Sequence, residues 1–206
     1  MNQRPQEPIP DRPVAVALVE GGDERVLCRA LCPNLPIVYW VAHGREFEPL
    51  VRLLMNEPNY TSVTAVGIVL DAEDDPSASL ALAQAAATHL IGSGVGHAEI
   101  REGTSCRVGA FVLPDGRAPG SVETLCKSSL QSRGLARCVD DLMACAAGTG
   151  SAHSTVARGD KRWLQAYLAA TGASDTRFHD AFRQSLIDPS NAVFDPLRRF
   201  LEELAR

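Results

Sequence analysis

Short apolar runs alternate with amphipathic segments along the first half of the chain. The runs at residues 14–19, 37–41, 63–70 and 107–113 are rich in Val, Ile, Leu and Ala and contain few polar positions. A run of this length with apolar residues on both faces is typical of a strand buried in the middle of a sheet. The pattern therefore predicts four central strands.

Helical periodicity fills the stretches between these runs. In residues 45–56, Phe47, Leu50, Val51 and Leu54 recur at i, i+3, i+4 and i+7, which predicts an amphipathic helix. A first helix is predicted from Asp23, a capping residue, to Pro33. Its inner face is expected to carry four residues: Val26, Leu27, Ala30 and Leu31. A third helix is predicted over residues 77–90.

Strands that alternate with helices pair in parallel through crossover connections, so we expect an α/β fold with a doubly wound, mainly parallel sheet. From residue 122 onward the pattern is helical. Asp160 is expected to cap one helix, and Asp195-Pro196 to open the last. The predicted division is a flexible tail (1–12), an α/β core (13–130) and a helical extension packed on the core (131–206).

Composition narrows the classes of protein that fit. With 45% hydrophobic and 22% charged residues, the 206-residue chain should fold on its own. The longest apolar run, 63–70, is far shorter than the ~20 residues of a membrane-spanning helix. Residues 1–13 lack the apolar core of a secretory signal, which predicts a cytoplasmic protein. A net charge of -5 argues against a broad electrostatic contact with nucleic acid but leaves room for a local basic patch.

Acidic residues follow several predicted strands. Glu20 follows the first, Asp71 and Glu73 follow the third, and Glu123 lies beyond the fourth. Ligands of open α/β sheets bind beyond the carboxyl ends of the strands, where these carboxylates should meet. In extended backbone Asp71 and Glu73 would face the same side and offer two oxygens to one ion, with Glu20 completing the site. Oxygen ligands favour Mg²⁺ or Mn²⁺.

Simpler interpretations remain open for each of these residues. An acidic loop after a strand is often a solvated turn that caps the next helix. Glu123 could simply favour the positive end of a helix, although it is not the glutamate of a capping box, since it lies two residues after Ser121 and not three. Lys161 lies in the first turn of the helix expected from Asp160, at the unfavourable end of the helix dipole. It is therefore either a functional residue or an exposed lysine with no function.

Several segments together resemble the Toprim fold. They are residues 19–23 (Val-Glu-Gly-Gly-Asp), 70–76 (Leu-Asp-Ala-Glu-Asp-Asp-Pro), 114–116 (Pro-Asp-Gly) and 119–123 (Pro-Gly-Ser-Val-Glu). Residues 160–169 and 194–201 extend the likeness to nearly the whole predicted core and extension. The chain is most similar to a bacterial family of small stand-alone Toprim-like proteins, related to the overcoming-lysogenization-defect nucleases.

This resemblance implies a divalent-metal-dependent phosphodiester site. Glu20 matches the Toprim glutamate, a ligand or general acid/base, and Asp71 matches the first aspartate of the Asp-x-Asp motif. Glu73 stands in place of the second aspartate, which is a departure from the motif. Glu123 looks like an extra acidic ligand of the nuclease branch, and Lys161 like its transition-state cation.

Two functions follow as hypotheses. The first is a nuclease that cleaves DNA or RNA with a metal-activated water and holds its substrate through Arg158, Lys161 and Arg162, together with Arg133 and Arg137. The second is a non-catalytic Toprim-like module that binds a nucleotide or a partner protein, which the presence of Glu73 favours.

Overall fold

The computed structural model describes residues 6–131, 133–148, 155–172 and 178–206. Within these ranges one sheet contains the strands β1 (Val14–Val19), β2 (Ile37–Val41), β3 (Val63–Asp71), β4 (Ile100–Arg101) and β5 (Arg107–Leu113). Their order is β2-β1-β3-β5-β4, and every pair is parallel except β4 with β5. The four predicted strands are confirmed. The two-residue β4 is too short to show a periodic pattern.

Helices cover both faces of this sheet. They are α1 (Gly22–Leu31), α2 (Phe47–Met55), α3 (Pro76–Ile91), α4 (Val122–Leu130), α5 (Gly134–Ala146), α6 (Val156–Ala170), α7 (Phe178–Arg183) and α8 (Asp195–Leu204). Alternate residues of β1 point to opposite cores: Val16 packs with α2 and α3, whereas Ala17 packs with α1, α4, α6 and α8. The predicted doubly wound α/β architecture is therefore present. None of the helices in the described ranges is long and apolar enough to cross a bilayer.

Two glycines let α8 pack directly on the sheet. A Cβ atom on Gly67 of β3 would lie 2.5 Å from a Leu204 methyl, and one on Gly109 of β5 would lie 2.8 Å from the Phe200 ring. Both separations are shorter than van der Waals contact. The glycines therefore allow the last helix of the extension 131–206 to fill the centre of one sheet face.

Residues 6–9, here called the N-terminal strap, lie against the edge strand β2. The side-chain amide of Gln6 donates to the Val41 carbonyl (3.0 Å) and accepts from the Val41 amide (3.0 Å). The Glu7 carboxylate accepts from the Tyr39 amide at 3.2 Å, and Ile9 is buried. Part of the predicted tail 1–12 thus pairs with backbone groups that an edge strand otherwise leaves open.

Candidate active site

A cavity of about 670 Å³ lies beyond the carboxyl ends of β1 and β3. Its lining comes from the β1–α1 turn, the loop before α2, the end of β3 and the loop after it, the start of α4 and the first half of α6. The lining residues that carry charge are Glu20, Asp23, Glu24, Arg45, Asp71, Glu73, Glu123, Arg158 and Lys161. The structure thus brings together every predicted site residue except Arg162, Arg133 and Arg137, which are exposed outside this lining.

Glu20 follows β1 and turns back toward the end of β3. Its Oε2 accepts a hydrogen bond from the Asp71 amide at 3.3 Å and lies 3.7 Å from Nε of Arg45. Burial raises the pKa of Glu20, and the Arg45 guanidinium opposes that shift. The side chain is therefore held at the point where β1 and β3 end.

Asp71 is the last residue of β3 and is almost fully buried. Its Oδ1 accepts a hydrogen bond from the Val122 amide (3.0 Å), at the N-terminus of α4. Burial raises the pKa of Asp71 well above its ordinary value, and the neighbouring carboxylates Glu24, Glu20 and Glu123 raise it further. Two strand ends and a helix start therefore converge on this carboxyl.

Glu73 reaches the cavity by a different backbone path from the one expected. The prediction of an extended Asp71–Glu73 segment is wrong, because Glu73 adopts a left-handed φ of 54°. It exchanges two main-chain hydrogen bonds with Gly120, and the side chain still lines the cavity. The simpler interpretation holds for Asp75 in the same loop, which caps α3 by accepting from Ser77 and Ala78.

Glu123 is buried in the first turn of α4. The capping box of this helix is formed by Ser121 with Thr124, as the spacing required, so Glu123 is not needed for it. Its Oε2 accepts a hydrogen bond from the Ser121 hydroxyl (2.8 Å), and its Oε1 lies 3.5 Å from Nζ of Lys161. The carboxylate thus faces the cavity with a cation beside it.

The predicted start of the helix that carries Lys161 is wrong. Helix α6 begins five residues earlier, at Val156, because Thr155 caps it by accepting from the Arg158 amide. Asp160 is an interior residue that accepts from Thr124 (2.8 Å) and Lys127 (2.8 Å). The helix-dipole argument for Lys161 therefore fails. What distinguishes Lys161 is its place opposite Glu123, which raises the pKa of the lysine.

Glu24 was not predicted as a site residue. It lies on the buried stripe of α1 with Leu27, Cys28 and Leu31, which corrects the inner face expected for this helix. Only 5% of Glu24 is exposed, and its Oε2 has no hydrogen-bond partner. Burial and the nearby carboxylates raise its pKa to about 7. The spacing of Glu24, three residues before the buried Leu27, could have indicated that it faces inward. An acidic residue in the first turn of a helix is, however, equally well explained by its interaction with the helix dipole.

The cavity's donors fit a hard divalent cation in kind and charge. All six carboxylates of the lining offer oxygen atoms, against three basic side chains, and the Glu24 oxygen is buried without a partner. In the arrangement seen across the described ranges, however, no three His, Cys, Asp or Glu side chains are placed to hold one ion. Glu20 and Glu123 bind the Asp71 amide and Ser121 instead. Ion binding therefore requires Glu20 and Glu123 to give up these contacts and rotate toward a common point.

Comparison with known proteins supports the fold and gives the family. No curated protein matches the chain. A solved structure titled as the crystal structure of hypothetical protein PH0156 from Pyrococcus horikoshii OT3 is similar, with a TM-score of 0.55 and 12% sequence identity over 93% of this chain and 95% of that chain. At that identity the likeness concerns the fold alone. The family model described as "Protein of unknown function (DUF3226)" matches residues 15–206, so the chain belongs to that family.

Proposed function

We propose that the chain is a Toprim-like enzyme that hydrolyses phosphodiester bonds of DNA or RNA and depends on Mg²⁺ or Mn²⁺. The observation that carries the proposal is that four carboxylates at or beyond the ends of three different strands line one cavity: Glu20, Asp71, Glu73 and Glu123. We place this activity in the cytoplasm, the compartment that the sequence predicts.

The charge of the cavity supports a cation as part of the site. Carboxylates raise one another's pKa here, so leaving all of them ionised costs free energy unless positive charge is added. Lys161 and Arg45 offset only part of this, through one ion pair each with Glu123 and Glu20. A buried carboxylate cluster that is short of cations is typical of a functional site.

Four carboxylates and one lysine of the cavity take part in the proposed reaction. Glu20, Asp71, Glu73 and Glu123 would hold the metal, which when bound polarises the phosphate and lowers the pKa of the attacking water. Glu20 acts either as one of these ligands or as the general acid/base, which would take a proton from the attacking water. Lys161 leaves Glu123 to neutralise charge on the phosphate in the transition state.

Basic residues on α6 supply the contact with the nucleic-acid backbone. Arg158, Lys161 and Arg162 lie at i, i+3 and i+4, so they share one exposed face of the helix. Lys161 and Arg158 reach the cavity rim, and Arg162 extends the same face outside it. This row of positive charge next to an acidic cavity suits a phosphodiester strand that lies across the metal.

Two measurements test the proposal. Mn²⁺ binding is measured by calorimetry, and cleavage of labelled single- and double-stranded DNA and RNA is measured with Mg²⁺ or Mn²⁺. Asp71→Asn keeps an oxygen that accepts from the Val122 amide, and we expect this variant to lose both Mn²⁺ binding and cleavage. The exposed Asp141→Asn should keep both. Failure of Mn²⁺ to bind, together with absence of cleavage of all four substrates, would falsify the proposal.

A second candidate is a non-catalytic module that binds a nucleotide or a partner protein. The left-handed backbone at Glu73, in place of the motif's aspartate, favours it, because this carboxylate is not presented from extended backbone. This candidate predicts nucleotide or partner binding that survives Asp71→Asn and no cleavage under any metal.

A further inference from the structure

A second cleft, of about 540 Å³, opens directly beside the carboxylate cavity. The two share Gly22, Asp23, Glu123 and Lys161 in their linings. The cavity and the cleft are therefore neighbours, and these four residues form their common border. Both volumes fall in the range of small-molecule sites.

The cleft differs from the cavity in chemistry. Its walls, formed by α1, α6 and α7, carry the apolar side chains of Val26, Leu164, Leu168 and Phe178. Gln165, an exposed residue one turn beyond Lys161 on α6, adds an amide that can both donate and accept. The cleft thus offers an apolar surface and a neutral hydrogen-bonding group next to a charged site.

The charges at the shared border select what can enter. The cleft lining also includes Arg25, whose charge is partly balanced by the Glu7 carboxylate 3.9 Å away. At the shared border itself, Asp23 and Glu123 would repel a second phosphate group, whereas a neutral group meets no such penalty. Lys161, on the same border, is placed for an anionic group that stays at the cavity side. The favoured ligand is therefore amphiphilic, with an anionic end at the cavity and a flat, neutral, largely apolar end in the cleft.

We propose that this cleft binds the base of the nucleotide next to the phosphate held at the cavity, and that the substrate class is unpaired nucleic acid. The inference rests on the proposed function, since it takes the cavity as the phosphate site. A base within a duplex is stacked and paired, so it reaches such a cleft only after it leaves the stack. Contact with apolar walls replaces the stacking that an unpaired base has lost.

The test compares two ligands that differ only in the base. Adenosine 5′-monophosphate and ribose 5-phosphate are each titrated calorimetrically, with and without Mn²⁺, after Mn²⁺ has been titrated alone. We expect the nucleotide to bind about tenfold more tightly or better, the gain typical of one base on an apolar or aromatic surface. Gln165→Ala, which removes the amide that can pair with a base, should reduce the difference, and the exposed Gln84→Ala on α3 should keep it.

The outcomes separate the two proposals. Absence of Mn²⁺ binding contradicts the proposed function, whatever the ligands do. Equal affinities for the two ligands, no binding of either, or a preference that is unchanged in Gln165→Ala overturn the assignment of the cleft, even when Mn²⁺ binds.

Discussion

Glu73 and Gly120 exchange two main-chain hydrogen bonds, each of 2.8 Å, and so join the loop after β3 to the loop before α4. Gly120 can adopt its φ of 146° because it has no side chain, whereas Glu73 holds its left-handed φ of 54° at a cost. This pairing fixes two of the candidate ligands, Glu73 and Glu123, on one connected piece of backbone.

Replacing Glu73 by Asn should separate stability from binding. Asn tolerates left-handed backbone better than Glu, so Glu73→Asn should leave the free energy of unfolding unchanged or raise it by up to about 1 kcal/mol. The same variant should weaken Mn²⁺ binding, because a carboxylate is lost. Urea denaturation and calorimetry measure the two effects, with exposed Glu102→Asn as the control. A clear loss of stability in Glu73→Asn would contradict the strain argument.

Glu24 gives the site a pH-dependent stability. Its pKa is about 7 in the folded chain and 4.5 ordinarily, because of burial and the charges of Glu20, Asp23 and Glu123. The folded state therefore holds its proton more tightly, and this group's contribution to stability is lost as the pH rises from about 4.5 to about 7.

The isosteric Glu24→Gln should remove this loss. At pH 8 we expect the variant to be more stable than the wild type by about 1 kcal/mol, which corresponds to a melting temperature a few degrees higher. At pH 5 this advantage should be smaller. Thermal denaturation at both pH values, with Glu57→Gln as the control, measures the gap. If the difference in melting temperature between the variant and the wild type is the same at both pH values, or larger at pH 5, the Glu24 charge is well compensated in the folded chain.

Asp160 should matter for stability more than a helix-capping residue would. It is buried between α6 and α4, where it accepts from Thr124 and Lys127, and Lys127 also lies over the Trp163 ring. Asp160→Ala removes both hydrogen bonds, while the partly exposed Lys127 can regain water, so the substitution should cost about 2–3 kcal/mol. Exposed Asp141→Ala should cost little. Similar denaturation midpoints for these two variants would show that the Asp160–Lys127 ion pair contributes as little as an exposed surface pair.

The N-terminal strap should keep the sheet edge from associating. Deleting residues 1–9 removes the groups that satisfy Val41 and Tyr39 on β2, together with buried Ile9. We expect the shortened chain to self-associate in a concentration-dependent way in light scattering, because open edges pair with other chains. Deleting residues 1–5 alone is the matched control. A shortened chain that stays as dispersed as this control would show that β2 is protected by other means.

The sequence predicts the sheet well because each central strand is apolar on both faces and nothing else in the chain looks like it. It also predicts that Glu20, Asp71 and Glu123 lie near one another, since strand ends of a parallel sheet share an edge. Local patterns could not show that Asp160 is an interior residue, because the first turn of α6 ends in a glycine, Gly159, and the aspartate that follows has the character of a cap. They also missed Arg45, which reaches the site from a left-handed position before α2 and bonds to the Asp71 carbonyl.

The strap also bears on how the protein is prepared for crystallisation. The family match starts at residue 15, after the strap, so a recombinant fragment trimmed to that boundary would discard Gln6, Glu7 and Ile9. Such a fragment would keep the whole carboxylate cavity but expose the edge of strand β2 to other copies of the chain. Aggregation of a trimmed sample would then report on the missing N-terminal strap and say nothing about the carboxylate cavity.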